Sequence, residues 1–137
     1  VCVLLPDGKV VTAGGVAPGT ADPDQHSIEL YSPGYLSLGA RPVIANAPPA
    51  VTYASIFVIE TPQAADINAI ALIAPIAVTH HTDAGQRHIT LPIRSRTATT
   101  VETAAPAHGN IAPPGYYMLF IVDNQGVPSK ARFVTIS

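Results

Sequence analysis

An all-β domain built as an antiparallel sandwich is what this sequence predicts, and three observations carry the prediction. Across 137 residues the 14 prolines and 10 glycines fall in short, spaced clusters, the punctuation of many strands and turns. Apolar residues come in short runs between those clusters, and no stretch sustains an amphipathic helical period. Apolar residues make up 47% of the chain and charged residues only 12%, which is the composition of a globular chain with a real core.

The first strands lie at the start. Val1 to Leu5 is an apolar run, Pro6-Asp7-Gly8-Lys9 is turn chemistry, and Val10 to Ala13 is a second strand stopped by Gly14-Gly15. Asp7-Gly8 reads as a turn and nothing more. Residues 16–26 read as a loop, Ser27 to Tyr31 as a short strand, and Ser32 to Pro42 as a linker. From Val43 onward the expected strands are Ala50 to Tyr53, Ser55 to Glu60, Ile67 to Ile73, Ile76 to Thr82, Gln86 to Ile93, Thr99 to Thr103, Tyr116 to Asp123 and Ala131 to Ile136. That count and spacing fit a seven- or eight-stranded sandwich of immunoglobulin type. Ala64-Ala65-Asp66 has room for a single helical turn. Tyr116 to Val122 is nearly all apolar, as a strand buried on both faces would be, with Tyr116 and Tyr117 facing the core or forming a corner.

Several functions are disfavoured. A net charge of -2 gives no reason to expect nucleic acid or an anionic membrane as partner. No apolar run is long enough for a membrane span, and no signal peptide is visible. The chain starts in strand-like sequence without Met, so it is expected to be a processed, truncated or partial piece. Cys2 is the single cysteine, so no internal disulfide can form. With no Trp and one Cys, the Cys-Trp-Cys signature of antibody domains is absent.

The stretch richest in chemistry is residues 77–89, which holds His80, His81 and His88 of the five histidines. It reads as a hairpin, with Ile76 to Thr82 rising, Asp83-Ala84-Gly85 turning and Gln86 to Ile93 descending. In that register Thr82 pairs with Gln86 and His80 faces His88, while alternation puts His81 on the other face with Arg87. A one-residue slip would undo the pairing. Asp83 beside Arg87 allows a surface ion pair worth about 0 to 1 kcal/mol. The bland reading is a polar hairpin with solvated histidines, and His81, His88, His26 and His108 are assigned to it.

Certain blocks change the reading for His80. Leu72-Ile73-Ala74-Pro75-Ile76-Ala77-Val78-Thr79-His80 followed by Gly85-Gln86-Arg87 resembles the C-terminal domain of the galactose oxidase and glyoxal oxidase family, the copper radical oxidases. Ser32-Pro33-Gly34-Tyr35-Leu36 with Arg41-Pro42, Ile111 to Phe120, and Gly126-Val127-Pro128-Ser129 match further blocks in family order. Leu4 to Gly15 resembles one blade of a kelch-type propeller. Departures occur at Ala74 and Ile76, where the family usually has Arg and Gly.

The resemblance implies a fold, a cofactor and partners. The fold is an immunoglobulin-like antiparallel β-sandwich preceded by strands of a partial kelch-type blade, with residues 1–42 the blade piece and linker and 43–137 the sandwich. His80 matches the family's copper-ligand histidine, which a hairpin carries up the axis of a seven-bladed propeller, and imidazole suits Cu(II). The other ligands, two tyrosines and a histidine, one tyrosine cross-linked to a cysteine, belong to the upstream propeller, and Cys2 does not match that cysteine. Such an enzyme oxidises a primary alcohol or aldehyde with O2, giving hydrogen peroxide, with Cu(II) and a tyrosyl radical sharing the electrons. The fragment alone is expected to be inactive, needing an upstream propeller domain or a separate chain supplying it. Secretion is expected. The alternative is a non-catalytic secreted sandwich binding glycan or protein.

Overall fold

The computed structural model describes residues 1–15, 27–80 and 82–137. The expected loop at 16–26, with His26, and the expectations for His81 lie outside the described residues. Three strands open the chain, β1 (Cys2–Leu4), β2 (Val10–Ala13) and β3 (Ile28–Tyr31), forming one antiparallel sheet in the order β1-β2-β3. The Pro6 to Lys9 turn closes β1 onto β2, with Gly8 at φ +81°, a conformation that costs glycine nothing.

The remaining strands are β4 (Ala50–Val51), β5 (Ile56–Glu60), β6 (Ile67–Ile73), β7 (Val78–Thr79), β8 (Thr82–Asp83), β9 (His88–Leu91), β10 (Ile93–Arg96), β11 (Thr100–Ala104), β12 (Gly115–Asp123) and β13 (Arg132–Ile136). They form a five-stranded sheet β4-β13-β12-β6-β9 and a three-stranded sheet β10-β11-β5, with β7 and β8 paired apart from both. The only helix among the described residues is two 3₁₀ turns, Gly34–Ser37 and Ala64–Asp66. The expected immunoglobulin-like all-β sandwich is what forms.

Alternation explains the core. Phe57 and Ile59 of β5 and Val101 of β11 meet Ile70, Leu72, Leu119, Ile121, Val134 and Ile136 from the larger sheet in one buried cluster. Leu119 pairs with Leu72 and Ile121 with Ile70, all four pointing inward. The expected strand Gln86 to Ile93 is in fact divided. β9 belongs to the large sheet and β10 to the small one, with Pro92 between them. Proline has no N–H to give a ladder, so it marks where the chain crosses sheets. Tyr116 is also corrected: it is 67% exposed, at the end of β12 beyond the central buried run.

Tyr117 is the buried tyrosine of the pair, and its hydroxyl donates to the Pro113 carbonyl at 2.9 Å. Burial pushes its phenol above the ordinary value of 10.0; the nearby Tyr53 phenol adds to this and Arg87 opposes it. The fold therefore holds the neutral phenol. Stability from this group is intact below the ordinary phenol value and is lost as pH rises through the raised folded value. Urea denaturation at stepped alkaline pH should show that loss, and Tyr117→Phe should flatten it. An unchanged slope in Tyr117→Phe would assign the alkaline loss to other groups.

The other face of the large sheet is covered too. Met118 and Phe120 point away from the sandwich core yet are each only 3% exposed. An apolar cleft of about 220 Å³ sits on this face, lined by Leu4, Gly8 and Tyr35 on one side and Ala71, Phe120 and Val122 on the other. The N-terminal sheet thus packs against the sandwich, which is why β12 is buried on both faces through its centre.

Candidate functional site

The histidine hairpin forms with a different register from the expected one. β6 and β9 pair antiparallel from Ile70↔Leu91 to Ile73↔His88. The same frame continues outward through the Ala74 amide on the Arg87 carbonyl (3.1 Å) and the Ala84 amide on the Ala77 carbonyl (3.2 Å). It ends in the β7–β8 pairs Val78↔Asp83 and Thr79↔Thr82. The two hairpin arms are therefore one ladder whose last pair is Thr79↔Thr82, so the tip lies beyond that pair, with His80, instead of at 83–85. Thr82 pairs with Thr79, not Gln86, and His88 pairs with Ile73, not His80. Six register steps separate His88 from the tip pair, up to ~20 Å along an extended arm. His80 and His88 do not form a ligand pair.

Core burial selects this register. Ile70 and Leu72 on β6 and Leu91 on β9 are buried in the sandwich, with Ile89 packed against it, so a one-residue slip would turn those side chains outward. Gly85, read as the turn glycine, has no positive φ. Among the described residues of the hairpin, it is His80 that has a positive φ, +50°, in the small left-handed region that histidine visits more readily than branched residues.

Local hydrogen bonds stiffen the arm where ladder pairs are missing. Pro75 has no amide hydrogen to offer. The Asp83 carboxylate accepts the Ala77 amide and the Gly85 amide, both at 3.0 Å. The second is a turn that Asp makes with the residue two ahead, and the Asp-x-Gly spacing is the sequence signal for it. The expected Asp83–Arg87 ion pair is absent, since among the described residues the single salt bridge is Lys9–Asp7 at 4.0 Å. Asp83 serves the backbone instead.

At the tip, Thr79 Oγ1 lies 2.8 Å from His80 Nδ1. When Nδ1 carries the proton it donates to that hydroxyl, and Nε2 keeps the ring's lone pair for a ligand. His80 is exposed and borders an open groove of about 450 Å³ with Cys2, Ile76, Thr79, Asp83 and Gln86. Among the described residues, no group of three or more His, Cys, Asp or Glu side chains could hold a metal ion. The chemistry available at the tip is that of one presented imidazole, suited to be one ligand of a site completed by other residues.

A β-sandwich that carries a long, in-register hairpin with a histidine at its tip is the class of protein defined here. Residues 41–136 match the family model described as galactose oxidase-like, Early set domain, and the chain belongs to that family. It is 37% identical to Aldehyde oxidase GLOX of Vitis pseudoreticulata, covering 97% of this chain and 28% of that protein. It is 29% identical to a galactose oxidase of Gibberella zeae, covering 100% of this chain and 21% of that one. Among solved structures it superposes with a TM-score of 0.87 and 26% identity on a fungal alcohol oxidase of the AA5 family in complex with copper, covering 100% of this chain and 30% of the other. This chain therefore spans under a third of the length of each of these proteins. Among the described residues no helix is long and apolar enough to cross a membrane.

Proposed function

We propose that this chain is part of a longer, secreted copper radical oxidase, in which His80 is one copper ligand and the sandwich is the base from which the ligand is presented. The observation that carries the reading is the exposed His80 imidazole at the end of the arm, with Nδ1 2.8 Å from Thr79 Oγ1. Such a tip can enter a pore that the sandwich itself is too wide to enter. Residues 1–42 are read as the end of a propeller blade with its linker, and residues 43–137 as the sandwich. The remaining ligands and the substrate pocket would come from the propeller.

Bound copper would supply an electron acceptor next to a ligand radical. The reaction is balanced as a primary alcohol losing two electrons and two protons to become an aldehyde, while O2 gains both to become hydrogen peroxide. An aldehyde substrate would react as its hydrate and give the acid. This chain's own residues do none of the electron transfer. They hold one imidazole at a fixed height and orientation and wall one side of the site.

Copper titration of the 137-residue chain and of the longer protein tests the proposal. The short chain should bind Cu(II) only weakly and oxidise neither alcohols nor aldehydes, because on this reading it supplies one ligand of the site and the propeller supplies the others. The longer protein should bind one copper tightly. Copper-independent glycan binding by the longer protein, with no tight copper site, would favour a binding module instead.

A further inference from the structure

Arg41 joins three chain segments that are far apart in sequence. Its Nη1 donates to the Asp7 carbonyl, its Nη2 to the Ser129 carbonyl and its Nε to the Pro128 carbonyl, at 2.5, 2.5 and 2.7 Å. The first acceptor lies in the β1–β2 turn of the N-terminal sheet. The other two lie in the β12–β13 connection of the sandwich. We propose that Arg41 is a positioning residue, a buckle that locks the N-terminal sheet to the sandwich in one orientation and so fixes where the His80 tip stands relative to that sheet.

Both ends of the buckle are built to be rigid. On the sandwich side Ser129 is fully buried, its amide donates to the Ile121 carbonyl at 2.8 Å, and its hydroxyl accepts the Ile121 amide at 3.1 Å. Ile121 is in the core, so the carbonyls Arg41 grips are tied to the strand next to β6, which begins the arm. On the turn side the Tyr35 hydroxyl donates to the Gly8 carbonyl, and the Asp7 carboxylate accepts the Lys9 amide at 3.0 Å. A Cβ at Gly8 would sit 3.3 Å from Arg41 Nη2, so the turn has glycine where the guanidinium passes.

The three donors explain why arginine is used. A guanidinium holds its N–H groups in a planar fork with fixed directions, whereas a lysine ammonium gathers three donors on one rotatable nitrogen and fixes orientation less well. Among the described residues, the other polar link across the junction is the Ala131 amide on the Pro6 carbonyl, at 2.8 Å. The apolar cleft between the layers supplies contact but no unique orientation, because apolar attraction is not directional.

The consequence for the copper reading rests on His80 being a ligand, but the buckle is tested without metal. Spin labels at Glu29→Cys on β3 and Thr82→Cys beside the tip, in a Cys2→Ser background, report the sheet-to-tip distance by pulsed electron resonance. Arg41→Ala should at least double the width of the distance distribution, and Arg41→Lys should recover part of it. Exchange of the Ala131 amide should rise about tenfold or more in Arg41→Ala, while the Leu72 and Leu119 amides keep their protection. An unchanged distribution, or equal loss of protection at Ala131 and Leu119, would overturn the proposal. Should Arg41→Ala fail to fold, Arg41→Lys is judged by the same two measurements. Loss of copper binding in the parent protein, by itself, leaves this inference standing.

Discussion

Replacing His80 with asparagine should leave the chain folded while weakening copper binding by the longer protein more than ~100-fold. Substitutions that only disturb the groups orienting a ligand already cost 10- to 100-fold, and removing the ligand itself should exceed that. Asparagine is the right replacement because His80 sits at φ +50°, where asparagine is at home. His80→Ala removes the same imidazole but adds roughly 1–2 kcal/mol of left-handed strain. Both variants should lose copper equally, and only the alanine variant should lose thermal stability. His88→Ala should keep copper, since His88 stands at the base of the arm opposite Ile73. Isothermal titration with Cu(II) reads affinity, and thermal melts read strain. Wild-type affinity in His80→Asn would remove His80 from the copper site, whatever the other variants did.

That experiment depends on a feature the sequence concealed. Strand β6 lies where the apolar run Ile67 to Ile73 puts it, and β12 starts one residue before the expected Tyr116. These elements were legible because each is a nearly continuous apolar run of strand length, bounded by turn residues. The hairpin tip was misplaced because Asp83 and Gly85 carry stronger local turn chemistry than His80 does. Register is a tertiary property: Ile70 and Leu72 against Ile89 and Leu91 fix the frame, and the tip falls wherever the ladder runs out. A count outward from those apolar pairs would have reached the Thr79–Thr82 pair and His80 just beyond it. The sheet change at Pro92 was marked by the proline itself, inside a segment taken as one strand. Arg41 was visible only as part of a matching block. Its three acceptors lie 34 to 88 residues away, a distance over which no local pattern reports.

Leu119→Ala should cost 2–5 kcal/mol of folding stability, the range for emptying a buried leucine site. Leu119 is fully buried at the centre of β12, opposite Leu72 and among Tyr117, Ile121 and Val134 in the core cluster. Its neighbours belong to strands hydrogen-bonded on both sides, β6 and β13, so the backbone has little freedom to collapse into the gap. That argues for the upper half of the range. For a domain whose net stability is of order 5–15 kcal/mol, this single change removes a large share. Phe133 offers the contrast: it is 50% exposed on β13, beside Met118 on the sheet's other face. Truncating it should cost at most about 1 kcal/mol, because half of its surface is already in water. Urea titrations of the two variants, with similar slopes and separate midpoints, make the comparison. A Leu119→Ala loss below about 1 kcal/mol, or a Phe133→Ala loss that matched it, would mean the stability does not reside in the face shared by the two sandwich sheets.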